Sequence, residues 1–434
     1  MNIKHYAKSD PTLLTVNSNK RQHHHVRLPA ILNSTKFLGR WTTENQQTLK
    51  AREFIRRMGI EIHLKINENG GAAEVDADAA PPPMVMGLQP SALVDHVARV
   101  DGSLLSRIPG EPGGSFPVES AELEFILSEV NHHIVAYPGV SSPLKTIAGG
   151  SVANTIRGLA AGFGVTCGII GACGDDDQGT FFTDKMKSSK VDLSRLRPKT
   201  GPTAQCVCLV DEFGNRTMRP CLSSAVKIQA NELTAEDFTA SKWLVLRYSI
   251  FNIEIIRAAI KIAKQQGVSV SLDLASFEMV RKFRAPLVEL LESGNIDLCF
   301  ANEDEATELL RAEDCGDPES ALEFLSKHCR WAVVTLGPKG CIAKHGKEVV
   351  RVPAIGEAKV ADTTGAGDLF AGGFLYGLVK GLSLEDCCKI SVCSGGAVIR
   401  SLGGEVTPEN WQWMYRQMEA QGLPIPEGGG EFVL

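Results

Sequence analysis

Between Trp243 and Ala343 the chain alternates β-rich runs with stretches of helical spacing, and no other feature limits the fold as tightly. Trp243-Leu-Val-Leu, Val268-Ser-Val-Ser-Leu-Asp273, Ile296-Asp-Leu-Cys-Phe-Ala and Trp331-Ala-Val-Val-Thr-Leu-Gly337 read as strands. Ile253–Gln266, Arg284–Leu291 and the stretch opened by Asn302-Glu-Asp-Glu305 read as helices between them. Cys341-Ile-Ala reads as a short return strand. Strands alternating with helices imply an α/β fold with a mostly parallel sheet covered on both faces. Ligands of such sheets gather outside the carboxyl ends of the strands. The reading puts Asp95, Asp273, Asn302, Glu305, Thr335 and Gly337 at such ends.

Upstream, Met84-Val-Met-Gly-Leu reads as a first strand, leaving Asp95 just past its end. From about Ser103 to Ile147 the pattern is less regular: Glu119–Val130 has helical spacing, His132–Tyr137 reads as a strand and Pro138–Pro143 as a turn. Ala148-Gly149-Gly150-Ser-Val-Ala-Asn154 is a glycine turn opening a helix, where small residues let a ligand approach the backbone and Asn154 offers donors and an acceptor. Val165–Gly171 reads as a strand running toward the acid trio Asp175–Asp177. Thr203–Arg219 is a hairpin around Asp211-Glu-Phe-Gly-Asn215, whose glycine permits positive φ. With the irregular region it implies a small antiparallel flap beside the main sheet.

Several function classes fall away on composition. No uncharged apolar run reaches the roughly 18 residues that span a bilayer, and a net charge of −6 gives no general case for nucleic-acid binding. The twelve cysteines show no CxxC pair and no zinc spacing, so they read as small buried apolar residues of a reducing compartment. Charge is uneven: residues 1–57 hold eleven Lys/Arg against three Asp/Glu, the remainder 34 against 48. Such a leader resembles a plastid or mitochondrial transit peptide. Without a clean cleavage signal it reads rather as an untargeted extension of a cytoplasmic protein, with Met58 a second candidate start. Residues 66–83, acidic and closed by three prolines, read as a disordered linker. The expected organisation is an extension over 1–83, one domain over 84–424 with a lid from parts of about 103–148 and 203–222, and a flexible tail over 425–434.

The densest chemistry lies in Asp362-Thr-Thr-Gly-Ala-Gly-Asp368, followed by Phe370, Phe374 and Leu378 at helical spacing. This is a glycine turn opening a buried helix, where unpaired N–H groups and the helix dipole attract anions. No Gly-x4-Gly-Lys-Ser/Thr stretch exists and no Gly-x-Gly-x-x-Gly follows a strand, which removes the P-loop and most of the case for a dinucleotide enzyme. The histidines avoid the glycine turns, so a Ser-His-Asp arrangement has no support. Two glycine-rich helix starts, strand-end acids and one Asp facing an anion site meet the needs of phosphoryl transfer.

Asp362-Thr-Thr-Gly-Ala-Gly-Asp-Leu-Phe-Ala-Gly-Gly-Phe-Leu resembles the second signature of the PfkB, or ribokinase-like, kinases of sugars and nucleosides. Gly149-Gly-Ser-Val-Ala-Asn154 resembles the first, with Val152 where Gly, Ala or Pro is usual. Asn302-Glu-Asp-Glu305 is similar to the family's Asn-x-x-Glu, and Thr335-Leu-Gly-Pro-Lys-Gly340 to its nucleotide-contact stretch. The resemblance implies a three-layer sandwich with a mostly parallel central sheet and a small antiparallel β lid, and an ATP- and Mg²⁺-dependent kinase of a small-molecule sugar or nucleoside. It implies that Asp368 is the general base, with Gly365, Ala366 and Gly367 supplying N–H groups to the transferring phosphate. Asp95, Gly149, Gly150 and Asn154 would hold the acceptor, and Asn302, Thr335, Gly337, Gly340 and Gly403 the ATP. Glu305 would organise Mg²⁺ through water, while Asp362 and Thr364 resemble positions that bind a monovalent cation such as K⁺. An unpaired lid edge offers a route to a homodimer. The rival reading is a non-catalytic regulatory protein that keeps the kinase fold.

Overall fold

In the computed structural model the alternating stretch becomes part of a nine-stranded sheet. The structure describes residues 2–4, 13–17, 23–27, 82–135, 144–222, 226–311, 316–355 and 360–426. The chain divides into two units at Pro81/Pro82. In the first, β1 (Asn2–Lys4), β2 (Leu13–Asn17) and β3 (His23–Arg27) form an antiparallel three-stranded sheet. Most of the basic leader, the linker up to Pro81, the 136–143 stretch and the tail from 427 lie outside the described residues.

The second unit supplies β4 (Val85–Ser91), β5 (Leu93–Arg99), β6 (Leu144–Gly149), β7 (Cys167–Gly174), β8 (Leu196–Lys199), β9 (Ala204–Val210) and β10 (Arg216–Cys221). It continues with β11 (Trp243–Arg247), β12 (Ser269–Asp273), β13 (Leu298–Asn302), β14 (Trp331–Thr335), β15 (Cys341–His345) and β16 (Glu348–Val352). The main sheet runs β16-β15-β14-β13-β12-β11-β4-β7-β8, parallel except where β15 and β16 return antiparallel. Successive strand residues serve opposite faces. Val245, Phe300 and Val333 join a core with the helices Ser151–Phe163, Ala366–Lys380, Leu384–Val398 and Pro408–Ala420. Leu244, Cys299 and Val334 join a second core with Ile253–Gln265, Arg284–Glu292, Glu303–Leu310 and Pro318–His328. Strands covered on both faces are apolar throughout, which is why they read as continuous runs.

A second sheet, ordered β10-β9-β5-β6, forms the lid. The expected hairpin is present as β9/β10, but β5 pairs parallel to β9 and antiparallel to β6. Here two expectations are corrected. Asp95 is not past a strand end; β4 gives way to β5 within two residues, and Asp95 is the third residue of β5. The cue was hidden because β5 buries residues on both faces, Asp95 and Arg99 among them, so no polar–apolar alternation marks it. Nor is His132–Tyr137 a strand as far as it is described. The helix Ser120–His133, opened by a Glu119/Glu122 capping box, keeps its apolar period through Leu123, Ile126 and Val130 and includes both histidines. Only Ile134 bridges, to Val100.

All described cysteines are free of disulfides, and all but Cys221 are buried. Of the acid trio, Asp176 caps the helix Asp177–Ser188 by accepting from Gly179 N at 2.9 Å. Among the described residues no helix is long and apolar enough to cross a membrane.

Candidate active site

The chain enters the Ala366–Lys380 helix through Gly365, whose φ of 79° is left-handed and whose Cβ, if present, would lie 2.9 Å from Gly404 Cα. That turn places Asp368 in the first helical turn with its carboxylate aimed at the start of a second helix, Ser151–Phe163. Ser151 Oγ donates to Asp368 Oδ1, and Asn154 Nδ2 donates to Oδ2 at 2.9 Å. The Thr155 hydroxyl reaches the Asp368 carbonyl at 3.1 Å. The two glycine turns, over two hundred residues apart in the chain, thus meet at one carboxylate. Asn154 is committed at its other end as well, its Oδ1 accepting from Arg157 Nη2 at 3.0 Å. Buried Arg157 in turn donates to Glu405 Oε1 (3.0 Å) and to the Gly404 carbonyl (3.1 Å). Of the three amides expected at the turn, Ala366 N–H donates to Thr363 O at 3.2 Å.

At the other turn, Gly149 closes β6 and Gly150 adopts a φ of 91°. A Cβ on Gly149 would fall 2.1–2.3 Å from the Asp95 carboxylate, and one on Gly150 2.3–2.6 Å from the Gln89 amide. Gln89 pins this turn: its Nε2 donates to Gly149 O (3.2 Å) and its Oε1 accepts from Ala153 N (2.9 Å). Asp95 is 1% exposed and its Oδ1 has no hydrogen-bond partner. Burial pushes its carboxyl up to about 7; Arg157 opposes the shift and Asp368 adds to it.

A third group lies at the carboxyl ends of β12, β13 and β14. Asn302 and Thr335 are register partners there, and Asn302 forms a reciprocal capping box with Glu305 (Oδ1 from Glu305 N at 2.8 Å, Glu305 Oε2 from Asn302 N at 2.9 Å). Burial, and then the nearby charge of Asp273, raise the Glu305 pKa; Asp273 is raised by burial too. Arg247, at the end of β11, and Arg216, opening β10, oppose both shifts. Gly337 and Gly340 form the turn from β14 to β15, where a Cβ on Gly340 would meet Val352 O at 2.0 Å.

The fully buried Asp362 accepts from Thr364 N (2.8 Å) and Gly403 N (2.7 Å), which ties the 402–404 loop to the glycine turn. The Thr364 hydroxyl lies beside that carboxylate yet satisfies no hydrogen bond. Arg99 of β5 donates to Ala361 O (2.8 Å) and Glu212 O (2.6 Å), holding the lid hairpin to the same segment.

Sequence reasoning missed Gln89, Arg157, Arg216 and Arg247 as parts of this region. Only Arg247 carried a visible signal, as a charged residue ending an apolar strand. Chemically, the assembly offers a carboxylate fed by two donors, a buried acid beside a glycine turn, and an acidic pair under two arginines.

Comparison with known proteins identifies the family. The pfkB family carbohydrate kinase model matches residues 124–410. The ribokinase of Lactococcus lactis is 29% identical over 262 residues, covering 60% of this chain and 81% of that one. The fructoselysine 6-kinase of Escherichia coli is 30% identical over 244 residues, 55% of this chain and 85% of that one. The crystal structure of adenosine kinase from Sinorhizobium meliloti superposes with a TM-score of 0.66 at 31% identity, covering 74% of this chain and 95% of that one. With that family model matching residues 124–410, well over half of its length, the chain belongs to the pfkB family of carbohydrate kinases.

Proposed function

We propose that this protein is an ATP-dependent kinase that phosphorylates a hydroxymethyl group of a sugar or nucleoside, with Asp368 as general base. The observation that carries the reading is the meeting of Asp368 with Ser151 and Asn154 at the junction of two glycine turns. An acceptor hydroxyl that replaces the Ser151 contact gives its proton to Asp368 as it attacks. The Gly365 and Gly367 amides, the Ala366 N–H once it leaves Thr363 O, and the dipole of the Ala366–Lys380 helix are the partners of the transferring phosphate in this reading. Asp95, Gly149, Gly150 and Asn154 hold the acceptor, and closure of the β5/β6/β9/β10 sheet keeps water from competing for the phosphate.

Asn302, Thr335, Gly337, Gly340 and Gly403 are the ATP contacts in this reading. The buried Glu305 carboxyl, raised by burial and then by the nearby charge of Asp273, suits a divalent cation. Glu305 would hold Mg²⁺ there through water, and the ion would neutralise charge on the phosphates. The buried Asp362 beside an unsatisfied Thr364 hydroxyl suits a monovalent cation such as K⁺. A ribose-containing acceptor is favoured because relatives include a ribokinase and an adenosine kinase.

The test is an ATP/Mg²⁺ turnover screen over ribose, fructose, adenosine, inosine and guanosine with wild type and Asp368→Asn. Turnover of one acceptor, reduced about 10²- to 10⁴-fold in the variant, is expected. Full rate in the variant would sink the assignment of the base. No turnover by the wild type would favour the non-catalytic reading.

A further inference from the structure

At the edge of the proposed acceptor site, Asp95 belongs to a cluster whose other two members, both cysteines, phosphoryl transfer does not use. Cys206 and Cys208 are two apart on β9, so their side chains share one face of the lid sheet. Asp95 is the register partner of Cys206 on the neighbouring β5. A carboxylate oxygen of Asp95 and the two sulfurs all lie within 4.8 Å of one another. The sulfurs are 3.8 Å apart. Two thiolates bound at about 2.3 Å to a tetrahedral zinc ion are separated by roughly 3.8 Å, so the pair already has the span a shared metal requires. The third member points the same way: Asp95 Oδ1 is buried and has no hydrogen-bond partner, although buried carboxylate oxygens ordinarily find one. On the cysteine side the cluster is enclosed by Val97, Ile147, Val210 and Leu402, which bring no polar side chain.

We propose that Asp95, Cys206 and Cys208 form a binding site for a soft or borderline divalent cation, zinc in the first instance. Two sulfurs and one oxygen select Zn²⁺ or Cd²⁺ over Mg²⁺, which takes oxygen ligands. On binding, both thiols lose their protons to solvent and the carboxylate binds as the anion. Two thiolates, one carboxylate and M²⁺ leave a site of charge −1 near the Arg157 guanidinium, whose charge already acts on Asp95. Three protein ligands leave a fourth tetrahedral position. If Asp95 holds the acceptor, as proposed above, metal and acceptor compete for it. Zinc then acts as an inhibitor competitive with the acceptor; this consequence rests on that reading, and the site itself does not.

The experiment uses the full chain, reduced and freed of metal, titrated with Cd²⁺ while thiolate-to-metal charge-transfer absorption is followed. Saturation near one equivalent is expected, with loss of the band in Cys206→Ser and in Cys208→Ser and its retention in Cys393→Ser. As a second readout, Zn²⁺ should raise the melting temperature of wild type but of neither serine variant, each first checked for native circular dichroism. Absence of stoichiometric absorption in wild type, or its survival in both variants, overturns the site. In turnover assays Zn²⁺ should raise the acceptor KM at least tenfold at saturation and leave kcat unchanged. Binding without any change in KM keeps the site and overturns the placing of Asp95 at the acceptor.

Discussion

Gln89 shows how much a single side chain can organise without touching a reacting atom. It follows the apolar residues of β4 within the same strand, yet it is buried and spends both ends of its amide on the Gly149–Ala153 turn. Gln89→Leu would leave the Ala153 N–H and Gly149 O without partners, a cost of about 1–3 kcal/mol each when buried. Denaturant unfolding should show the loss, and the acceptor KM should rise more than kcat falls, since the turn holds Asn154 at the mouth of its helix. Gly150→Ala makes the complementary test. Its φ of 91° and a Cβ landing on the Gln89 amide predict a loss at least as large, and a variant as stable as wild type would show that the turn adapts freely. Asn154 itself was legible as a polar residue after a glycine turn. Its division between Asp368 and Arg157 was only half legible: Arg157 follows three residues on along the same helix, whereas Asp368 belongs to a turn more than two hundred residues away.

Among elements, the Ala366–Lys380 helix was the most legible, since Gly365, Asp368 and the Phe370/Phe374 stripe announce its start and its buried face. Gly372 and Gly373 each cost a helix about 1 kcal/mol relative to Ala, which reads as close packing around both. Packing explains only one of them. A Cβ at Gly373 would meet Ser394 Oγ at 2.5 Å and Ser391 Cα at 2.9 Å on the Leu384–Val398 helix, and one at Gly377 would meet Cys387 Sγ at 2.6 Å. At Gly372 the nearest atom is Thr155 O at 3.6 Å, an ordinary contact. Gly373→Ala should therefore destabilise by about 1–3 kcal/mol through overpacking, whereas Gly372→Ala should be neutral or stabilise by up to about 1 kcal/mol. Paired thermal melts would read the difference, and equal effects would contradict the helix contact as its cause. Strand β5 was the least legible element. A segment buried on both faces while carrying Asp95, His96 and Arg99 fits neither the alternating nor the continuous apolar pattern.

At the scale of the whole molecule, the division at Pro81/Pro82 makes its own prediction. A chain starting at Pro82 should fold with the melting temperature and turnover of the full chain, because the main sheet and the lid draw every strand from Val85 onward. A drop in either would mean that the first unit contributes to the kinase unit. What the sequence determined by itself was whatever depends on near neighbours in the chain: the α/β alternation, the β9/β10 hairpin, the glycine turns at 149–150 and 365–367, and the Asn302/Glu305 cap. Tertiary structure alone decided which of these meet. It set Asp368 against Ser151 and Asn154, put Asp95 in register with Cys206, and brought Asp273 and Glu305 under Arg216 and Arg247. Helix caps and turns are closed by hydrogen bonds a few residues long, so their residues carry the signal. Contacts across sheets depend on the register of strands as far apart in the chain as Val85 and Trp243, and that is settled by burial of the two cores, not by any local preference.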